Sequence, residues 1–507
     1  MRIFLDEVYD RKLKTLSFIV NKRREVSLAE IAEGTNLSKK TISMMIRQFE
    51  QELGVPEDQF RVLYLNKSIQ SVYARNLDVV RISNNYLKKS HLYKMIRHLF
   101  LKGQIEVMEF CTLYFTSPSS FSRYRQKLVG ILKKCGLGLS RTNEIIGEEL
   151  RIRQFFFLFF STASTVWLFE IKEYDELTLY FKGRMKNWER MDTIKQNKFC
   201  LIMYICMVRI QQKQLMSNTL LPSLSEYHQT GFYVTLFFDY FHQKKKRAEM
   251  SAWDETCAAL FFLYTERLAE EEGPFVFEEY QALYTEEHFQ FVPSSHLFTA
   301  KVIATFFQGT VSTELYWAIR TESDRMHLIL ETCFIDARLF YYIYDEENFF
   351  YADALERDIQ RTIEKMVEEL IAETATYRHF FERVEGYTNK EAILDYLYLV
   401  VYTLLLTHRT TDFPEVRIFI QHSKAFVAPL LAGKIKRMFR DRVEMITDPR
   451  APYDLLVTDV RLDTKESQGK ELFIATFSDR TDFSLLIEEI EKMIVANYDK
   501  KALIGTK

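Results

Sequence analysis

Residues that interrupt helices are scarce in this chain. Its 507 residues include 15 glycines and 9 prolines, whereas phenylalanine (42) and tyrosine (28) are abundant. Glycine and proline disfavour helix interiors and large aromatic side chains fill hydrophobic cores, so this composition predicts a mainly helical protein. The chain is also too long for one core, and we expect several domains of about 100–200 residues each.

Cysteine is infrequent, and its spacing excludes common metal-binding patterns. None of the six cysteines lies in a Cys-x-x-Cys spacing, which is typical of structural zinc sites. We therefore expect neither a metal nor another cofactor. Most of these cysteines lie in apolar, helical contexts, which predicts buried free thiols in a reducing cytoplasm.

The sequence also lacks an apolar run long enough to cross a membrane, which takes about 20 residues. The apolar stretch Phe155–Phe169 is interrupted by serine, threonine and alanine, and we interpret it as a buried helix. The first residues lack the apolar core of a signal peptide. These absences predict a cytoplasmic protein without a membrane partner.

Charge is unevenly distributed along the chain, although the formal net charge is only −2. Residues 1–150 carry 25 Lys and Arg against 16 Asp and Glu, a net charge of +9, and the remaining residues carry a net charge of −11. A basic N-terminal third joined to an acidic body is the distribution expected of a DNA-binding module attached to control domains.

One pattern occurs twice in this basic third: a short apolar helix, a polar break and a second, basic helix. The first copy spans Ser27–Leu53 with its break at Gly34–Leu37, and the second spans Ile105–Lys134 with its break at Phe115–Pro118. Each copy predicts a helix-turn-helix, whose second helix enters the major groove of DNA.

In the first copy, we expect the second helix to begin after Ser38, which suits the N-cap position. Apolar residues at helical spacing predict its buried stripe, namely Ile42, Ile46, Phe49 and Leu53. The predicted DNA contacts on its polar face are Lys39 (phosphate), Thr41, and, for base edges, Lys40, Ser43, Met44 and Arg47. The alternative is an ordinary amphipathic helix with a solvated polar face.

In the second copy, we expect the second helix to begin at Ser119. Its predicted buried side is formed by Phe121, Tyr124, Leu128 and Leu132. Its predicted DNA contacts are Ser120, Ser122, Arg123, Gln126 and Lys127. Arg123 and Arg125 give the strongest indication of DNA binding in this helix, although cation-rich helices also occur as solvated faces.

A β-hairpin wing is predicted after each helix-turn-helix. Residues Phe60–Tyr73 alternate apolar and polar side chains, which is typical of a hairpin. We expect Arg61, Lys67 and Arg75 to lie near phosphates in this first wing. The segment 137–147 predicts the second wing.

A family resemblance follows from the segment Ile145–Arg153, which reads I-I-G-E-E-L-R-I-R directly after the second helix-turn-helix. It resembles the G-E-x-x-R-I-R stretch of the Mga/AtxA/RofA family, large transcription regulators of Gram-positive bacteria, many of which control virulence genes. Family members have two helix-turn-helix units, two helical phosphotransferase-system regulation domains (PRD domains) and a C-terminal domain like an enzyme IIB. The resemblance implies DNA binding as a dimer and control through phosphorylation by the sugar phosphotransferase system.

Pattern and resemblance together predict a mainly α fold. It has two N-terminal winged helix-turn-helix units, two helical-bundle regulation domains and a C-terminal α/β enzyme IIB-like domain. The expected domains are residues 1–76, 77–153, 154–273, 274–411 and 412–507. The boundary between the two bundles depends on the loop Glu272–Pro274.

Two histidines are predicted as phosphorylation sites of the second regulation domain. A phosphorylatable histidine needs exposure and usually a nearby arginine. His327 follows Arg325 and is the first choice, and His379 beside Arg378 is the second. The alternative for each is a structural histidine.

The C-terminal region changes to short apolar strands alternating with helices, which predicts a parallel α/β sheet. The expected strands are 416–420, 443–446, 455–458 and 472–476, with helices at 424–440 and 484–496. Enzyme IIB components of the related type use a cysteine after the first strand, but the sequence contains none after Cys333. Without a thiolate that phosphoryl transfer cannot occur, so we expect a domain for dimerisation or signal reception.

The sequence thus predicts a regulator rather than an enzyme. We expect it to bind double-stranded promoter DNA as a homodimer through the C-terminal domain, with the phosphocarrier protein HPr and RNA polymerase as partners. The alternatives are a low-specificity architectural DNA-binding protein, an RNA-binding antiterminator with the same regulation domains, and a phosphocarrier of sugar uptake. The missing cysteine argues against the last of these.

Overall fold

The computed structural model describes most of the chain. The described ranges are 1–163, 172–216, 232–244, 252–268, 290–307, 311–340, 354–408, 416–421, 427–448, 451–459, 469–473 and 484–494, apart from the single positions 23, 58, 76, 186, 187, 189, 190, 192 and 267. The chain forms two compact units, one of residues 1–346 and 368–396 and one of residues 347–367 and 397–507.

The first residues form three helices and a small antiparallel sheet. The elements are α1 (Glu7–Lys22), β1 (Val26–Ser27), α2 (Leu28–Thr35), α3 (Lys39–Glu52), β2 (Phe60–Leu65) and β3 (Ser68–Ala74). The sheet order is β1-β3-β2, and β2 and β3 form a hairpin. The predicted helix, turn, helix and hairpin are therefore present in this order.

Local caps explain why α2 forms at this place. The Ser27 side chain accepts a hydrogen bond from the Glu30 backbone, and the Glu30 carboxylate accepts from the Ser27 backbone, which together form a capping box. Hydrogen bonds from Arg24 and Ser27 lower the pKa of Glu30 to about 2. Asn36 ends the helix in a left-handed conformation, which asparagine tolerates better than most residues.

The next elements repeat this arrangement. They are α4 (Val79–Lys89), α5 (His91–Lys102), α6 (Val107–Leu113), α7 (Pro118–Lys134), β4 (Gly138–Leu139), β5 (Ile145–Ile146) and α8 (Glu149–Thr162). Strands β4 and β5 pair antiparallel and form the predicted second wing. Helix α8 is buried nearly all round and runs through the predicted boundary between residues 153 and 154.

Helices continue through the middle of the chain. They are α9 (Lys172–Lys182), α10 (Thr193–Gln211), and the helices Phe232–Lys244, Ala252–Thr265, Val292–Phe306, Thr313–Thr332, Ala354–Glu373, Ala375–Glu385 and Lys390–His408. Aromatic rings fill the interior of the first unit, as the composition predicts. The ring of Phe100, for example, packs on Phe156 and Phe160 of α8. The predicted internal boundary Glu272–Pro274 lies outside the described residues.

The second unit contains the predicted parallel sheet. Its strands are β6 (Val416–Gln421), β7 (Val443–Ile446), β8 (Leu455–Thr458) and β9 (Lys470–Phe473). They pair in parallel in the order β7-β6-β8-β9. The helix Val427–Phe439 and the helical residues 484–494 pack on the sheet core. The fourth strand begins at Lys470, two residues earlier than predicted, and the loop from residue 422 lies outside the described residues.

The six cysteines are buried free thiols, as predicted. Burial raises the pKa of Cys135, Cys200, Cys206 and Cys333 to about 12. The apolar stretch from Phe155 is buried in α8 as far as it is described. Among the described residues, no helix has the length and hydropathy needed to cross a bilayer.

Candidate nucleic-acid interface

The two helix-turn-helix turns are built alike. Each has a left-handed residue two positions before a capping serine: Asn36 (φ 56°) before Ser38, and Phe115 (φ 51°) before Ser117. Each turn is closed by the amide that follows the left-handed residue, which donates to a carbonyl five residues earlier, at 3.3 Å in the first turn and 2.9 Å in the second. The backbone therefore leads into α3 and α7 in the same way.

The prediction that the second of these helices opens at Ser119 was wrong by one residue. Helix α7 begins at Pro118, and Ser117 is its N-cap, with its side chain accepting from the Ser120 amide at 3.2 Å. The predicted break, Phe115–Pro118, includes this proline. Proline is in fact favoured in the first turn of a helix, where its missing N–H costs no hydrogen bond.

Alignment on the capping serines brings the two helices into one register. Ile42 and Phe121, four residues after their serines, are both buried. Met44 and Arg123 share the sixth position after the serine, and both are exposed. The ninth position, occupied by Arg47 in the first helix, is also exposed in both. The polar faces of α3 and α7 therefore present side chains from equivalent positions.

Helix α3 exposes most of the side chains that we predicted as DNA contacts. Lys39, Lys40, Met44 and Arg47 are exposed, and Thr41 and Ser43 are half-buried. The Thr41 hydroxyl lies 2.8 Å from Ser38 Oγ, so it also stabilises the cap. None of the three cations forms an ion pair with the described residues, which leaves their charges available to an anionic partner.

The buried stripe of α3 differs slightly from the prediction. Ile42, Ile46 and Phe49 are buried, and Met45 joins them, whereas Leu53 caps the helix and is only half-buried. Met45 lies three residues after Ile42 and so on the same face of the helix, but the predicted stripe passes directly from Ile42 to Ile46. Met44 is 54% exposed.

Helix α7 exposes Ser122, Arg123, Gln126 and Lys127, whereas Ser120 is half-buried. Its sequence contains no acidic residue. The guanidinium of Arg123 and the ammonium of Lys127 lie 5.7 and 6.0 Å from the ring centroid of Tyr124. In the described residues neither cation pairs with a carboxylate.

Tyr124 connects α7 to the preceding helices. It is half-buried rather than buried, and its ring stacks on His91 of α5 with a centroid distance of 4.4 Å. The Nδ1 of His91 lies 2.7 Å from the Asp6 carboxylate. The orientation of α7 is thereby fixed by contacts outside the helix-turn-helix.

Arg125 has a different role from the one that the sequence indicated. Its Nε donates to Asn143 Oδ1 at 2.6 Å, and its Nη2 donates to the Ser140 carbonyl at 2.8 Å. The Asn143 amide in turn donates to the Ile105 carbonyl at 3.1 Å. Arg125 therefore fastens the wing to α7, and only Arg123 of the two arginines faces outward.

The first wing presents one basic side chain at its tip. Asn66 and Lys67 both have positive φ values, which fits a tight two-residue hairpin turn, and Lys67 is exposed. Arg75 is exposed as well. We expected Arg61 to lie near a phosphate, but its guanidinium pairs with Glu25 at 2.8 Å.

Sequence reasoning missed Arg141. It lies in the loop that joins β4 to β5 and is exposed. It is the only basic residue between the two strands. Arg141 lies in the loop of the second wing as Lys67 lies in the loop of the first. A basic residue in the loop of a predicted wing was therefore the sequence signal that could have identified it.

The two histidines predicted as phosphorylation sites differ in exposure. His327 is 0% exposed, and its Nδ1 lies 2.7 Å from the Ser323 carbonyl, so it lacks the exposure that we required. Arg325 turns away to Glu322 and to the ring of Tyr264. His379 is exposed, 3.5 Å from the Glu382 carboxylate.

The segment that carried the family resemblance is the most heavily bonded part of α8. The Glu149 carboxylate accepts from Arg153 at 2.9 Å and from Arg209 at 2.9 and 2.7 Å. Arg153 also pairs with Glu255. Arg153, Arg209 and Glu255 are buried and Glu149 is half-buried. Their charges compensate one another, which a charge in a low-dielectric interior requires.

Arg151 extends from α8 in another direction. Its Nη2 donates to the Thr332 carbonyl at 3.2 Å, and its guanidinium lies 3.8 Å from the ring centroid of Tyr387. A side chain at Gly136, which has a positive φ, would collide with it. The two arginines of the segment, Arg151 and Arg153, thus contact different helices of the first unit.

Comparison with known families agrees with this geometry. Residues 75–160 match the family model of the Mga helix-turn-helix domain, a range that contains α4 to α7, the second wing and most of α8. The match supports the resemblance to the Mga/AtxA/RofA regulators. No curated protein matches the chain.

Proposed function

Starting from the Mga helix-turn-helix domain at residues 75–160, we propose that this protein is a transcription regulator that binds promoter DNA through both α3 and α7. The observation that supports it best is the common register of the two helices. Each begins at a capping serine and exposes polar or cationic side chains at equivalent positions. A matched pair of such helices in the basic third of the chain fits two contacts with duplex DNA.

The proposed contacts divide by chemistry. Side chains in the first turns of a recognition helix reach base edges, and cations at its flanks and in wings reach phosphates. The proposed base contacts are Lys40, Ser43, Met44, Arg47, Ser122, Arg123 and Gln126. The proposed phosphate contacts are Lys39, Lys67, Lys127 and Arg141, while Thr41 and Ser120 are placed at the helix caps.

The resemblance supports three further parts of the proposal. We place the regulator in the cytoplasm, acting on RNA polymerase at its promoters rather than catalysing a reaction. It acts as a homodimer through the C-terminal domain, which would present two copies of each recognition helix. Sedimentation of the full-length protein tests this, because a monomer at DNA-binding concentrations would contradict the dimer.

For control by the phosphotransferase system, exposure favours His379 over His327. Incubation with phosphoenolpyruvate, enzyme I and HPr should label the parent protein but not a His379→Ala variant. Labelling of that variant, or no labelling of the parent, would contradict the assignment. His327→Ala serves as the comparison, since a buried ring should not accept the phosphoryl group.

The decisive experiment is recovery of genomic DNA fragments on the purified protein at moderate salt, followed by sequencing. A regulator should enrich a few promoter fragments. Uniform recovery would instead favour the architectural alternative, in which binding depends on shape and charge alone. If total RNA is added to the same mixture, recovery of transcripts in preference to DNA would favour the RNA-binding antiterminator.

A further inference from the structure

The most unusual side chain of the interface is Phe115, in the turn between α6 and α7. It is 98% exposed, although phenylalanine is usually buried. Its backbone is left-handed, with φ 51°, a conformation that a bulky residue adopts only at a cost in free energy. Neither burial nor backbone preference therefore explains a phenylalanine here.

The first helix-turn-helix shows what this turn requires. The equivalent position there is Asn36, with φ 56°, and asparagine is one of the residues that tolerate this conformation. Both turns are closed by the same type of backbone hydrogen bond. An asparagine would thus fit the second turn as well. Because the fold does not require the ring of Phe115, we expect the ring to contact a partner.

The surroundings of Phe115 indicate what the ring contacts. It lies two residues before the N-cap Ser117, at the end of α7 that enters the major groove in a helix-turn-helix. The adjoining helix carries exposed Arg123 and Lys127 and no acidic residue. This charge is complementary to a polyanion, and the thymine methyl is the apolar group that the major groove offers.

We propose that Phe115 is a specificity-determining residue of the second recognition helix, and that its ring packs on a thymine methyl group in the major groove. The inference rests on the proposed function and adds a base preference to it. The inference predicts that the operator has a thymine at the base pair that lies beside the N-terminal end of α7 in the complex.

The test begins with selection from a library of random-sequence duplexes by the full-length protein. Each thymine of the selected site is then replaced in turn by deoxyuridine, which lacks only the methyl group. At one position the parent should lose affinity about fourfold, the value for one buried methyl group. A Phe115→Asn variant should bind the thymine duplex about tenfold more weakly, as expected for a lost aromatic contact. It should show no preference for thymine over deoxyuridine at that position.

Phe115→Asn is the main variant because it supplies the residue of the first turn, so its melting temperature should not fall below that of the parent. Leu113→Ala is the matched control, since Leu113 is an exposed apolar residue (55%) of α6. It should bind as the parent does. If Leu113→Ala is weakened as much as Phe115→Asn, the ring is not a specific contact.

The outcomes separate this inference from the function on which it rests. If the parent selects no sequence, the proposed function fails and the inference fails with it. If the parent selects a site and Phe115→Asn selects the same site with the same affinity and methyl dependence, only the inference is overturned. A weakened variant with no methyl dependence in the parent would overturn the assignment to thymine.

Discussion

Arg153 and Glu255 form an ion pair in the interior of the first unit, between α8 and the helix Ala252–Thr265. Arg153 is 0% exposed and Glu255 1%, and two hydrogen bonds of 2.5 and 3.1 Å join them. Arg153 also donates to the Gln214 carbonyl at 3.2 Å. The segment Ile145–Arg153 is thereby fixed to the helices that follow it.

Loss of one partner should destabilise the protein strongly. Glu255→Ala leaves the Arg153 charge buried and only partly compensated, and we expect a loss of about 3–5 kcal/mol in the free energy of unfolding. The measurement is urea unfolding, followed in the first transition because a chain of this size need not unfold in two states. Glu368→Ala is the control, since its pair with Lys390 is exposed and should contribute less than about 1 kcal/mol. Equal effects of the two variants would contradict the structural role of the buried pair.

Removal of one exposed arginine from either recognition helix should weaken DNA binding without affecting the fold. We expect Arg47→Ala and Arg123→Ala each to lower the affinity for a selected duplex by about tenfold or more, as for a lost base contact of 1–3 kcal/mol. Fluorescence anisotropy with labelled duplex measures this. Lys133→Ala, in the last turn of α7, removes a charge remote from the helix N-terminus. If it matches the arginine variants, the effect is general charge and not recognition.

Arg125 should affect DNA binding indirectly, through the second wing. Arg125→Ala removes the hydrogen bonds to Asn143 and to the Ser140 carbonyl, so the wing should exchange its amide hydrogens faster. Hydrogen exchange over residues 138–146 measures this, and DNA affinity should fall in parallel. Arg123→Ala is the comparison, because it should lower the affinity while leaving exchange of the wing unchanged. Unchanged exchange in Arg125→Ala would show that the wing is held by other contacts.

The elements with local signals were predicted well from the sequence. Helix α3 has clear apolar periodicity, the strands of the C-terminal sheet are short apolar runs, and Ser38 marks a helix start in the usual way. Helix α7 begins one residue earlier than predicted, because Pro118 is a first-turn residue and not part of the break. Proline is favoured at this position of a helix, so the local sequence does contain the signal.

The roles that depend on distant partners were not predictable. Arg125 looked like a DNA contact, and its actual partner Asn143 is 18 residues away. His327 looked accessible beside Arg325, but the helix turns it inward among aromatic rings of other helices. Side-chain direction and burial are set by tertiary packing, which the local pattern around a charged or polar residue does not contain.

His327 should make the stability of the protein depend on pH. Burial, and to a smaller extent the charge of Arg320, lower its pKa to about 3, against the opposing effect of the Ser323 carbonyl. An unfolded histidine has a pKa of about 6.5. Between these values the unfolded state binds more protons, so the free energy of unfolding falls as the pH falls below about 6.5 and this group has no effect above it.

The contribution of His327 at pH 5 is about 2 kcal/mol, and replacement of the ring should remove it. His327→Phe keeps a ring of similar shape next to Phe298 and Phe380 but carries no titrating group. Its melting temperature should therefore fall less than that of the parent between about pH 7.5 and about pH 5. His379→Phe is the control, because it makes the same substitution at an exposed histidine. If His327→Phe loses as much stability on acidification as the parent, another group causes the acid sensitivity, and His327 titrates in the folded protein as an accessible histidine does.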